Sequence, residues 1–427
     1  MQGKKMGESM TDDEFADALL AASPELQAEL TPKRPVQPTP FALWDNLGLA
    51  TNGSGKVIPN IDNVARLMDG PYKGILWYDT FHAKVFTKWD TDTVREWGTP
   101  DTYELTRRIQ KDMQLSTISD DIVYKGLTLY GYQNARNEPY EWLESLKWDG
   151  TERIKHCMSD CFGAHENNYT SEVSQNFWIA MVARVYQPGC KYDNMIVLEG
   201  QQGAFKSSAL KIIGGKWFTE LHESVQNKDF FVGLQGKLLI EIAELDAFSK
   251  AETSKIKQVI SNQSDRYRAP YERTAQDHPR QCIFVGSTNE SQYLKDATGG
   301  RRFWPIATGL IRLDILKEHR EQYFAEATHK YKNGASWWKV PEEAINEQES
   351  RRQSDEWESI IARYIEPTTE VQVTDILCDA LKIEVGMQGR QEQMRVTHCL
   401  RVLGWDRTRE RRSGVQVSVW RRKEDFS

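Results

Sequence analysis

The stretch that most constrains the fold is Met195-Ile196-Val197-Leu198-Glu199-Gly200-Gln201-Gln202-Gly203-Ala204-Phe205-Lys206-Ser207-Ser208. An apolar run reads as a buried strand, breaks at Gly200, turns through Gly203, and resumes as a helix over Ser207 to Ile213. Strand, glycine loop and Lys-Ser at a helix start make the layout of a phosphate-binding loop. Each residue type has a job. Glycines let the backbone wrap close to phosphate oxygens, and the helix N-terminus adds partial positive charge. Lys206 is placed to reach the β- and γ-phosphates, and the Ser207 hydroxyl to ligate Mg²⁺. The candidate set for ATP and Mg²⁺ is Gly200, Gln202, Gly203, Ala204, Phe205, Lys206, Ser207 and Ser208. Phe205 departs from G-x-x-x-x-G-K-[ST], which has glycine there. Its side chain must point away from the nucleotide, or the loop must open. A glycine-rich turn without a ligand is the alternative.

The chain beyond the loop strengthens the first reading. Lys237 to Asp246 is a strand ending in acids. An acid at the carboxyl end of a buried strand beside the loop can hold Mg²⁺ and polarise the attacking water. The end position favours Glu244, which joins Ser207 as the expected metal contact; Asp246 comes next, and Glu241 ranks third as a structural carboxylate. Ser249 to Ser261 reads as a helix. Asp265 to Arg273 is basic and aromatic, suited to a hairpin loop, and Arg266, Arg268, Tyr271 and Arg273 are candidates to hold DNA by charge and stacking. A solvated surface, or ion pairs across a subunit boundary, is the other reading. The strand Gln281 to Asn289 ends in an amide, and Asn289 beside a γ-phosphate would orient water without repelling the anion. Arg301 and Arg302 precede the apolar run Phe303 to Ile306. A guanidinium supplied by a neighbouring subunit raises phosphoryl-transfer rates by about 10³–10⁵. Either arginine could instead pair with a buried acid.

The chain is 427 residues long, with 39% hydrophobic and 27% charged residues. That allows two to four domains, and no apolar run nears the ~20 residues of a membrane span. The N-terminus lacks the apolar core of a secretory signal, so a cytoplasmic protein is expected. Ile154, Cys157, Cys161 and Phe162 share one helix side, which favours core packing; with His156 and His165 nearby, zinc is the alternative. The net charge of −7 is not the footprint of a general nucleic-acid binder. Yet the C-terminal stretch holds Arg401, Arg407, Arg409, Arg411, Arg412, Arg421, Arg422 and Lys423. Any nucleic-acid contact should be local.

The expected organisation is a tail and proline-spaced linker over 1–40, a mostly helical domain with a few strands over 41–192, an α/β core over 193–345, and a small domain over 355–427. In the second part Ile61 to Met68, Leu105 to Met113, Ser119 to Asn134, Tyr140 to Gly150 and Gln175 to Val185 have helical spacing, and Gly74 to Asp79 reads as a strand. The tryptophans there suit packing better than base stacking. In the last part three helices, the second with Thr374 as N-cap, precede a hairpin around Ser413-Gly414. Helices leading into a basic hairpin suggest a winged helix; a protein-docking domain of the same shape is the alternative.

Together the motifs at 200–208, 237–246, 281–289 and 296–306 resemble the virulence-associated protein E family, phage- and island-encoded P-loop ATPases similar to superfamily 3 DNA helicases. The likeness spans about residues 130 to 310, and includes Leu143 to Gly150, Ala183-Arg184-Val185 with Pro188-Gly189, and Gly214 to Thr219. It implies an AAA+-like core, a replication ATPase forming a homo-oligomeric, hexameric ring with nucleotide between subunits, and single-stranded or forked DNA as partner. A primase or other replication protein is a further implied partner, and a bacterial cytoplasm the implied location. It also implies Lys206 and Ser207 as the loop pair, Glu244 with Asp246 as the second acidic motif, Asn289 as sensor and Arg301 or Arg302 as arginine finger. The expected activity is DNA unwinding driven by ATP hydrolysis. The rivals are an initiator whose nucleotide only sets assembly, and a phage-interference switch acting on a protein.

Overall fold

The computed structural model describes residues 47–422 apart from 92, 114, 222–229, 246–248, 269–273, 295–299, 352–354 and 413–414. The tail over 1–40 and the candidates Asp246, Tyr271 and Arg273 lie outside the described residues. The chain divides into two compact units, Met1–Glu138 and Pro139–Ser427.

The first unit contains α1 (Ile61–Asp69), strands β1 (Leu76–Asp79), β2 (Lys84–Thr87) and β3 (Arg95–Glu96), then α2 (Thr99–Asp112) and α3 (Asp120–Gln133). Both α1 and α3 start on a capping side chain: Asn60 accepts from the Asn63 N–H, and Ser119 from the Ile122 N–H. The strands form one antiparallel sheet in chain order. Helices α1 and α3 meet at Gly126, where a Cβ would lie 2.5 Å from the Val64 side chain. Val64, Leu67, Leu105, Ile109, Val123 and Leu127 make the core between them.

The second unit opens with α4 (Glu138–Ser145), α5 (Cys157–Phe162) and α6 (Asn168–Tyr186). The expected helix to Gly150 stops at Ser145, whose hydroxyl turns back to donate to the Trp142 carbonyl at 2.7 Å. Ile154, Cys157, Cys161 and Phe162 are all buried, with Cys161 Sγ 3.1 Å from Tyr323 Oη.

The chain then alternates strands and helices: β4 (Met195–Glu199), α7 (Lys206–Gly214), β5 (Phe218–Glu220), α8 (Phe230–Gly233), β6 (Leu239–Ile242) and α9 (Lys250–Ser261). The hairpin β7 (Ser264–Tyr267) and β8 (Gln276–Pro279) comes next, then β9 (Ile283–Thr288), β10 (Phe303–Ala307), α10 (Leu313–Lys332) and α11 (Ala344–Ser350). Five strands form a sheet in the order β10-β4-β9-β6-β5, and every pairing is parallel. Strand alternation sorts its side chains. Met195, Val197, Ile240, Ile242, Phe284 and Phe303 pack with Ile256, Val259 and Ile260 of α9 on one face. The opposite face meets α6 and α7, and α10 packs on those two helices. Helix α6 is buried along nearly its whole length, caught between sheet and α10. The expected boundary at 192 therefore falls inside a compact unit.

The C-terminal part has its own core of Ile361, Ile365, Val371, Ile376, Leu377, Val396, Cys399, Leu400, Trp405 and Trp420. Its elements are α12 (Glu356–Ile365), β11 (Glu370–Val371), α13 (Val373–Asp375) continuing as a wider turn to Ala380, α14 (Arg390–Val402), β12 (Trp405–Arg412) and β13 (Val415–Arg422). The strands pair antiparallel in the order β11-β13-β12. Helix α13 is capped at Gln372, not Thr374, because Asp375 reaches back to the Gln372 N–H at 3.3 Å.

Candidate functional site

Strand β4 delivers the chain to Gly200 at the carboxyl edge of the sheet. No side chain fits at Gly200: a Cβ would lie 2.4 Å from Thr308 Oγ1, and that hydroxyl donates to the Glu199 carbonyl at 2.7 Å. Gly203 is left-handed at φ +80°. Phe205 is left-handed too, at φ +64°, and it precedes the first residue of α7. That conformation explains the glycine expected there, since a residue with a Cβ gives up about 1–2 kcal/mol in it. The Phe205 ring is 61% exposed, so it does not fill the loop.

Lys206 opens α7 and is only 8% exposed. Its ammonium donates to the carbonyls of Gly200 at 2.6 Å and Gln201 at 3.1 Å, and to Asn289 Oδ1 at 3.2 Å. Ser207 Oγ donates to Glu241 Oε1 at 2.8 Å, and Ser287 Oγ donates to the same oxygen at 2.7 Å. Glu241 is fully buried, and its Oε2 has no hydrogen-bond partner. Burial pushes the Glu241 carboxyl above the usual carboxylate range, and the two hydroxyls pull part of the way back. The ends of β4, β6 and β9 thus bring Lys206, Ser207, Glu241, Ser287 and Asn289 together where open parallel sheets bind ligands.

This arrangement fits a hard divalent cation. A buried carboxylate oxygen without a partner, beside a serine hydroxyl, is costly unless something positive reaches it. Among the described residues no group of three or more His, Cys, Asp and Glu gathers. One carboxylate and one hydroxyl suit magnesium, which takes its other ligands from water and phosphate.

The other expected residues are spread more widely. Gln202 and Ser208 are exposed, and Ala204 is half-buried. Glu244 lies beyond the end of β6, exposed and left-handed at φ +52°; the acid bonded to Ser207 is Glu241. Arg302 is half-buried, and its Nε donates to Ser261 Oγ at 2.6 Å; Arg301 is exposed. In the β7–β8 hairpin Arg266 pairs with Asp277 at 3.1 Å, Arg268 is exposed, and Tyr267 stacks on His278 at 4.1 Å.

Three contributors carry little or no signal in the sequence. Ser287 is one residue from the end of β9 and Asn289 is the first residue beyond it, so both come to the same edge of the sheet. Thr308 gives no signal. Arg351, at the end of α11, holds Glu199 at 2.9 Å, directly before the loop. Burial raises the Glu199 carboxyl, and Arg351 counters that.

A family model described as the virulence-associated protein E-like domain matches residues 143–356. Among solved structures the chain is similar to the A-form apo structure of the NrS-1 C-terminal region, at 13% identity over 84% of this chain and 98% of that chain, with a TM-score of 0.47. An apo structure of the same region gives 12% identity over 81% and 95%, with a TM-score of 0.43. No curated protein matches the sequence. Among the described residues no helix is long and apolar enough to cross a membrane.

Proposed function

This chain belongs to the virulence-associated protein E-like family, and on that premise we propose that it is an ATP-dependent, helicase-like DNA replication protein with a P-loop core. The observation that carries the reading is the meeting of Lys206, Ser207, Glu241 and Asn289 at the carboxyl edge of a parallel sheet. Lys206 exchanges its carbonyl acceptors for the β- and γ-phosphate oxygens of ATP. Glu241, with Ser207, is the pair that would hold Mg²⁺, which when bound neutralises charge on those phosphates. In this reading Asn289 orients the attacking water, and Glu244, exposed beyond the end of the strand, accepts its proton. Arg302 is anchored to Ser261 of its own chain, whereas Arg301 is exposed. That contrast supports Arg301 as the residue reaching a nucleotide in the neighbouring subunit of a ring. The C-terminal helices and hairpin are assigned a winged-helix-like role on DNA.

A second reading is favoured by one feature. Phe205 stands left-handed where the motif has glycine, a departure from the hydrolysing pattern that suits an initiator whose nucleotide sets assembly without unwinding. ATP hydrolysis measured with and without single-stranded DNA separates the two. Turnover stimulated by DNA supports the first. Nucleotide binding without turnover would overturn it in favour of the second.

A further inference from the structure

The C-terminal arginines look alike in the sequence, but the strand register divides them. Residues directly opposite in an antiparallel pair share a face. Arg407 lies opposite Trp420, Arg409 opposite Ser418 and Arg411 opposite Gln416, so these arginines form one row along β12. Asp406, Glu410 and Arg421 belong to the other face, where Arg421 is bonded to Glu370 at 2.6 Å and to Glu410 at 2.5 Å. The acids of this sheet are gathered on the face that does not carry the row.

Arg407, Arg409 and Arg411 are all exposed. Arg407 donates to Ser418 Oγ at 2.7 Å, a neutral acceptor that fixes the guanidinium without cancelling its charge. Among the described residues no carboxylate lies within ion-pairing distance of these three. The row continues the face that holds Trp405 and Trp420 in the core, and it runs out past that core towards the hairpin tip. At its base Arg401, from the last turn of α14, sits over the Trp420 ring at 5.7 Å.

We propose that this face of the β12–β13 hairpin, with Arg401 beside it, holds the phosphodiester backbone of a nucleic acid; the inference rests on the proposed action of the protein on DNA. Spacing supports it. Alternate residues of a strand are about 6.8 Å apart, and a duplex offers one phosphate per ~3.4 Å of rise along each strand. Successive guanidiniums on their flexible side chains are thus spaced to meet separate phosphates of a strand and not to crowd a single one. Guanidinium forks suit phosphate oxygens, and backbone contacts of this kind fix position without reading sequence.

The test is fluorescence anisotropy of the full chain with labelled single-stranded and duplex DNA over a salt series. The variants are Arg407→Gln with Arg409→Gln and Arg411→Gln, and the matching triple arginine-to-lysine protein. With three phosphate contacts gone, the log–log salt slope should flatten by about 2.7 on duplex or ~2 on single strands, and affinity near 0.1 M salt should fall on the order of a hundredfold. The size of the slope change tells which form is held. The lysine protein should keep most of the slope, since charge sets it. A glutamine triple variant that binds within twofold of the parent, with an unchanged slope, overturns the hairpin assignment and leaves the DNA reading standing. A parent chain that binds no nucleic acid in any form overturns both, and would turn the row towards an acidic protein partner.

Discussion

The glycine loop before α7 and the C-terminal hairpin handle positive charge in opposite ways. Lys206 is buried among oxygens, opposite a fully buried carboxylate with an oxygen left unpartnered. Arg407, Arg409 and Arg411 stand in water, with no carboxylate of the described residues close enough to pair with them. In the first region low dielectric makes each group decisive, because removing one partner strands another. In the second, contributions are screened, similar and roughly additive. A buried site concentrates function in single atoms, and an exposed row spreads it over many.

The sharpest way to break the contrast is Lys206→Ala, expected to remove both nucleotide binding and turnover. Near-parental hydrolysis in that protein would show that the buried lysine is dispensable. Next comes Arg301→Ala, expected to cut turnover about a thousandfold while nucleotide still binds, with Arg302→Ala lowering thermal stability instead through its lost bond to Ser261. Mixing Arg301→Ala subunits with Lys206→Ala subunits checks the reach between chains: partial recovery of activity is expected, and none argues against it.

Glu241→Gln ranks third, with magnesium affinity about 10- to 100-fold weaker by calorimetry. It also carries a pH signature. Burial raises this carboxyl in the folded chain, so the native state holds its proton more tightly than the unfolded one. Its contribution to stability is full below the unfolded value of about 4.3 and is lost as pH rises through the folded value. Without magnesium, melting of the parent should therefore decline over that window relative to Glu241→Gln. Parallel curves would mean the acid is not buried in the way described.

Smaller effects are expected outside the pocket. Arg409→Gln alone should weaken DNA binding by roughly fivefold near 0.1 M salt, about a third of the row's logarithmic effect. A single substitution that abolishes binding would mean one arginine dominates after all. Smallest is Phe205→Gly. Relief of the left-handed backbone is worth about 1 kcal/mol, partly offset by added freedom in the unfolded chain, so the melting temperature should rise by a few degrees at most.

Much of this was legible in the sequence. The loop, its strand and its helix can be read from Met195 to Ile213, and the C-terminal hairpin from alternation around Ser413-Gly414. The choice between Glu241 and Glu244 was not, because it depends on where β6 ends and on a left-handed turn at Glu244 that no local pattern announces. The Arg266–Asp277 pair was equally hidden, since two residues of a hairpin meet only once its register is known. The division at Glu138 escaped too. Helix α6 is buried on nearly every side, with Ser174, Asn176 and Arg184 among its buried residues, so periodicity gives it no outer face and no sign of which neighbours it joins.

Lys206 and Asn289, bonded to each other, are separated by 83 positions along the chain, and Glu241 and Ser287 by 46. Each lies on a different segment that acquires its place only when β9 slides between β4 and β6. No fragment ending before Thr288 can contain the assembled pocket, however well its own helices form. On a ribosome, the assembled pocket therefore arrives only with the strand that completes the middle of the sheet.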